Sequence, residues 1–201
     1  MIIKPSNLAP GRRQFLLRTV PAGALVCMGC KSLFAWPGQE NKFSENPGMT
    51  TEETYRFFYG TSIPVLQILA RDFGRDKLVE ELAKASAENV TQMIIAMAKE
   101  LPQKDMKALA RLLDGMMTGP LSKRAFAYEV VENSDKVYQA KFTQCLPAKL
   151  WREMNAADLG YALECSSVDA MAKAFNPKMK GTLPKNLMKG DSECLVRFEM
   201  V

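Results

Sequence analysis

The hydrophobic period of the chain first changes at Gly119-Pro120, and that change limits the fold more than any single motif. Before it, apolar residues recur every three or four positions. Tyr55, Phe58, Tyr59, Ile63, Leu66 and Leu69 line one stripe, with Thr50, Thr51, Glu52 and Glu53 forming a helix start. Pro64 should bend or split that helix. A second helix is predicted over residues 75–99, with Leu78, Leu82, Ala85, Met93 and Met97 on one face. A third is predicted over residues 103–117, with Met106, Leu109, Leu112, Leu113 and Met116. Methionines at this spacing among leucines are adaptable core filler rather than a soft-metal relay.

After Leu121 the period is two. Phe126, Tyr128 and Val130 alternate with Ala127, Glu129 and Val131, Asn133-Ser134-Asp135 is a turn, and residues 137–143 alternate again, which predicts a hairpin. Pro147 opens a helix carrying Leu150, Trp151 and Met154. Residues 159–175 continue helical, with a weak point at Ser166-Ser167 and a stop at Asn176-Pro177. Residues 179–187 and 194–200, joined by a turn at 189–192, form a second hairpin. The expected class is therefore α+β: a helical N-terminal half, then a mainly antiparallel sheet of two hairpins with intervening helices.

Residues 1–35 read differently from the rest. Gly11-Arg12-Arg13-Gln14-Phe15-Leu16-Leu17 followed by the apolar run Ala22–Val26 resembles a twin-arginine export signal, which a translocase reads in order to move folded proteins. Pro21 and Gly23 interrupt the run, and it falls short of the ~20 apolar residues of a membrane span. The chain's net charge of +5 is the charge of Lys4, Arg12, Arg13, Arg18 and Lys31, all in this segment, which holds no acid. The remainder of the chain is formally neutral and has no basic patch interleaved with aromatics, so a nucleic-acid partner is not expected. Three fates are open for the segment: cleavage near Ala35, lipid attachment at Cys30, or retention as an anchor. Residues 36–49 read as a linker and 50–201 as one domain. The expected location is exported: periplasmic, or held on the outer face of the cytoplasmic membrane.

The chain contains no histidine. This excludes a Ser-His-Asp triad, a Cys-His pair and any His-ligated zinc site. No phosphate-binding loop and no dinucleotide fingerprint is present. Three cysteines remain in the domain. Cys145 stands where a strand ends just before Pro147, at a helix N-terminus whose free amides favour a thiolate, which makes it the candidate nucleophile or metal-binding thiolate. Cys165 precedes Asp169 by four residues, so thiol and carboxylate share a helix face if the helix runs through Ser166 and Ser167. Cys194 shares strand parity with Val196, Phe198 and Met200 and is expected to face the core. A disulfide would leave one thiol over.

The order Cys145, Trp151, Leu159-Gly160-Tyr161, Cys165-Ser166-Ser167-Val168-Asp169, Phe175-Asn176-Pro177, Gly190-Asp191-Ser192-Glu193-Cys194 resembles the L-2-amino-thiazoline-4-carboxylic acid hydrolase family. The likeness covers roughly residues 120–200. It implies hydrolytic opening of a cyclic amidine toward a carbamoylated cysteine, with Cys145, Cys165, Asp169 and Cys194 as the site and Asp169 as base or ligand. Two classes of function are compatible with these residues. In the first, an enzyme adds water across a small C–N bond of a small-molecule substrate, Cys145 attacking or orienting and Asp169 handling the proton. In the second, an exported binding module uses three thiolates and Asp169 as a four-coordinate set for a thiophilic ion such as zinc, or holds a small ligand.

Overall fold

The computed structural model describes Gly48–Val201. The paired arginines Arg12 and Arg13, the processing alternatives at Cys30 and Ala35, and all but the end of the 36–49 linker lie outside the described residues.

Helix α1 spans Thr51–Phe73. Thr50 caps it reciprocally with Glu53: the Glu53 amide donates to Thr50 Oγ1 at 3.2 Å, and the Thr50 amide donates to Glu53 Oε2 at 2.7 Å. Such a cap stabilises a helix by about 1 kcal/mol. Of the two outcomes expected at Pro64, a bend or a split, the split does not occur, and α1 runs through it. Ile63 and Ala70 on either side of it are both buried in one cluster, and that packing outweighs the ~3 kcal/mol an interior proline costs. Gly74, with φ of 92°, turns the chain into α2 (Arg75–Met97). There Ile94 is fully buried while Met97 is 43% exposed, so Met97 leaves the predicted face. Helix α3 (Met106–Met117) starts at Asp105, whose side chain accepts from the Ala108 amide at 2.8 Å.

A single turn, α4 (Ser122–Ala125), leads into β1 (Phe126–Asn133) and β2 (Val137–Cys145). Then come α5 (Leu146–Glu153), the short α6 (Ala157–Gly160), a π-helical turn (Tyr161–Cys165) and α7 (Val168–Phe175). Strand β3 (Met179–Lys185), a 3-10 turn (Leu187–Lys189) and β4 (Cys194–Met200) complete the fold. The four strands form one antiparallel sheet in the order β1-β2-β4-β3, so the two hairpins meet through β2 and β4. This is the α+β architecture that the period change predicts.

Two apolar clusters hold the helices. One packs α2, α3 and α7 on the sheet through Ile94, Leu109, Tyr138, Phe175, Met179 and Phe198. The other joins α1, α5, α6 and the 3-10 turn through Ile63, Ala148, Trp151, Leu159 and Met188. Where α7 crosses β3 the approach is so close that Gly181 lies directly beneath the Val168 carbonyl.

One irregularity decides the site. Tyr138, Ala140 and Phe142 of β2 pair with Phe198, Val196 and Cys194 of β4, so these residues share the covered face. Strict alternation would next place Gln144 there. The register of β1 shifts between Ala127 and Tyr128, however, so that Phe126 pairs with Cys145 and Tyr128 with Phe142. The bulge brings Cys145 onto the face of Phe142. No described helix is long and apolar enough to cross a membrane.

Candidate functional site: a thiol-lined cleft beside a held carboxylate

At the seam between the two clusters lies a cleft of about 270 Å³. Its wall is largely apolar, with Met116, Phe126, Tyr128, Phe142, Met171 and Val196 among its residues, and all three cysteines line it. A wider groove of about 710 Å³ on the outer side is lined by Arg124, Lys149 and Arg152 together with Glu52 and Glu153. Cys145, Ala148 and Leu187 belong to both walls, so Cys145 stands at the junction of groove and cleft.

All three cysteines are half-buried free thiols. The sequence predicts a lowered pKa for Cys145, and here the structure differs. The Ala148 amide at the start of α5 does favour the thiolate, but burial outweighs it and pushes the Cys145 thiol up to about 11, with Glu164's charge adding to the rise. Burial likewise raises Cys165 to about 12, against the Asn186 side chain, which favours its thiolate. That Asn186 is 3% exposed, and its Nδ2 has no hydrogen-bond acceptor while it faces the Cys165 sulfur. Burial raises Cys194 as well, opposed by the Leu187 amide. The charges of Cys145 and Cys194 are both felt at Cys165. Near neutral pH all three are thiols, so a nucleophilic cysteine here needs a base.

Asp169 stands apart from the cysteines. It is absent from the cleft wall. Its Oδ2 pairs with Lys173 at 2.6 Å and its Oδ1 accepts from the Gly181 amide at 3.2 Å, and Lys173 foremost holds its pKa below the usual carboxylate range. The expected shared face with Cys165 requires an unbroken helix. Instead Cys165 closes the π-helical turn, and Ser166-Ser167 separates it from α7. Asp169 pins the first turn of α7 to β3. Among the described residues no three His, Cys, Asp or Glu side chains are grouped to hold a metal ion, so the four-ligand set of Cys145, Cys165, Cys194 and Asp169 is not assembled.

The carboxylate that does line the cleft is Glu164, which the sequence alone does not single out. The π-helical turn places it next to Cys165, and its Oε1 accepts from Tyr59 Oη at 2.6 Å and from Trp151 Nε1 at 2.7 Å. Two donors on one oxygen fix the carboxylate, and Trp151 itself is fully buried. Glu164 keeps an exposed surface, part of it cleft wall, yet enough protein surrounds it that lost hydration raises its pKa, against the lowering by Tyr59 and Trp151. Tyr59 stays protonated, because burial foremost and then the charge of Glu164 raise its own pKa. The π-helical turn has its own support: Ser86 Oγ donates to the Leu163 carbonyl and Ser166 Oγ to the Ala162 carbonyl, each at 2.6 Å. A π-helical turn at a cleft is a recurrent mark of a functional site.

A thiol at a helix N-terminus and a fixed carboxylate of raised pKa form a nucleophile and base pair in kind. Comparison with curated proteins gives no match. The family model described as L-2-amino-thiazoline-4-carboxylic acid hydrolase matches residues 54–198, from the first turns of α1 to the last strand. With most of its length matched, including every element that walls the cleft, the chain belongs to the L-2-amino-thiazoline-4-carboxylic acid hydrolase family.

Proposed function

We propose that this protein is a hydrolase that opens a C–N bond of a cyclic amidine, with Cys145 as nucleophile and Glu164 as the base that serves it. The observation that carries the reading is the placing of Glu164, fixed by Tyr59 and Trp151, on the same cleft wall as Cys145. In the first step the Cys145 proton passes to Glu164, and the sulfur electron pair forms a bond to the amidine carbon while the C=N pair moves onto nitrogen. The nitrogen that takes the pair is the exocyclic one. Protonated Glu164 then returns its proton to the ring N–H, which leaves as an amine as the C–N bond breaks, while the exocyclic nitrogen's pair re-forms C=N. Water finally attacks the same carbon, giving its proton to Glu164, and the Cys145 sulfur leaves and recovers the proton. Each transfer is short of its optimum in a free thiol near pKa 11, which is why the base must be held in place.

The test compares turnover of 2-amino-2-thiazoline and of its 4-carboxylate by the full chain and two variants. Cys145→Ala is expected to lose activity by about a hundredfold or more. Asp169→Asn, which touches only Lys173 and the Gly181 amide, is expected to keep activity within about threefold and to cost no more than ~1 kcal/mol, since an ion pair this exposed contributes little. Loss of activity in Asp169→Asn as well would restore the site expected from sequence, and an active Cys145→Ala would sink this one.

The place of action is proposed separately. Arg12 and Arg13 before Phe15-Leu16, with all the excess basic charge in the same segment, support export by a twin-arginine translocase. Replacing both arginines by Lys is expected to leave the protein in the cytoplasm on cell fractionation. Unchanged export would defeat the proposal.

A further inference from the structure

We propose that the cleft is built for an apolar monocation, an amidinium or ammonium without a carboxylate of its own, and that Glu164 is its counter-ion. The inference rests on the hydrolase reading for the reaction but concerns the charge of the ligand, which is a separate matter. Among the described residues Glu164 is the only charged side chain on the cleft wall, and no Lys or Arg lines it. Both of its partners are neutral, the Tyr59 hydroxyl and the Trp151 indole, and both hold Oε1. A carboxylate that is partly open to solvent on an otherwise apolar wall, with no cation beside it, attracts a positively charged guest.

The rest of the wall agrees with such a guest. Phe126, Tyr128 and Phe142 bring three aromatic rings to the wall, with Tyr128 and Phe142 stacked at 5.2 Å between ring centroids, and aromatic rings attract a cation. Met116 and Met171 offer adaptable apolar contact. A ligand that brought its own carboxylate would set a second negative charge near Glu164 in a space without a compensating cation. The arginines of the vicinity, Arg124 and Arg152, line the outer groove instead. A volume of about 270 Å³ lies near the small end of the ~300–1,000 Å³ usual for ligand sites, which suits a single substituted ring. The protein's own ligand is thereby set apart from the carboxylated compound in its family's name.

Calorimetric titration of the full-length Cys145→Ala protein, which separates binding from turnover, tests this with two probes. These are 2-amino-2-thiazoline, a monocation, and 2-amino-2-thiazoline-4-carboxylate. The monocation is expected to bind about tenfold more tightly or better, and Glu164→Gln in the same background is expected to weaken it by about tenfold or more while leaving the carboxylated probe little changed. If Glu164→Gln does not fold, monocation binding to the Cys145→Ala protein is measured against pH. It should then weaken as Glu164 is protonated in the acid range. Equal or tighter binding of the carboxylated probe, no binding of the monocation at millimolar concentration, or indifference to both Glu164→Gln and pH would each overturn the proposal. Binding in the expected order with no hydrolysis of any cyclic amidine by the unaltered protein would instead remove the hydrolase reading alone.

Discussion

Glu164→Gln is expected to give a folded protein whose turnover of a cyclic amidine falls by about a hundredfold or more. Gln has the size of Glu, and its Oε1 still accepts from Tyr59 Oη and Trp151 Nε1, so packing and orientation survive while the base is lost. The same variant has a stability signature of predictable sign. Desolvation raises the Glu164 pKa in the folded state, so the folded protein holds this proton more tightly than the unfolded chain does. The resulting stability is fully present below the unfolded pKa of about 4.3 and is lost as pH rises through the higher folded value. Gln lacks that contribution. Melting curves from pH 4 to pH 8 should therefore show the variant gaining on the parent as pH rises. The acid limb of the parent's pH–rate profile should lie above the ordinary carboxylate range and vanish in the variant. Retention of more than a tenth of the parent rate would remove Glu164 from the chemistry.

Gly181→Ala is expected to be the most damaging single-methyl change in the fold, costing about 3 kcal/mol or more. A Cβ at this position would overlap the Val168 carbonyl oxygen, lie 2.7 Å from its carbon and 2.9 Å from Val168 Cγ1. The obstruction is mostly backbone, so no rotamer change relieves it. Helix α7 would have to lift from β3, losing the Gly181 amide bond to Asp169 and disturbing Ala172 and Phe175 in the core and Val168 and Met171 on the cleft. Against a typical stability of ~5–15 kcal/mol this is a large fraction. Urea unfolding measures it, and a change below about 0.5 kcal/mol would show that α7 rests on β3 less rigidly than its geometry implies. Gly160→Ala is a milder case of the same kind, because its Cβ would meet the Trp151 ring, at 2.5 Å from Cγ, rather than backbone.

Period and punctuation in the sequence were enough to read the elements. Gly119-Pro120, Asn133-Ser134-Asp135 and Asn176-Pro177 each interrupt or end an element close to where the structure does. The break at Ser166-Ser167 was legible as well. Pro64 left a bend and a split both open, because local backbone preference is set against tertiary packing that the sequence does not display, with Ile63 and Ala70 buried on both sides. Of the residues that line the cleft, the sequence singles out the thiols and not the carboxylate. Cys194 follows from strand parity, but Cys145 reaches the same face only through a bulge, which changes parity without any marker residue. Asp169 drew attention because i and i+4 share a face in an α-helix, and the π-helical turn with its break removed that relation. Glu164 had no signal of its own, one acid among 22 in the chain. Only the meeting of Tyr59 and Trp151 on its Oε1 distinguishes it, and that meeting joins positions far apart in sequence.

The same meeting bears on what counts as a minimal catalytic fragment. All three thiols and Glu164 come from the part of the chain after Gly119-Pro120, which invites the view that the helical half is a removable appendage. Tyr59 belongs to α1, and it supplies one of the two donors on Glu164 Oε1. A fragment beginning at the first strand would carry every reactive group and still leave the carboxylate tethered on one side only. On the proposed mechanism, the carboxylate would then be fully held only in a chain whose α1 is docked against the rest.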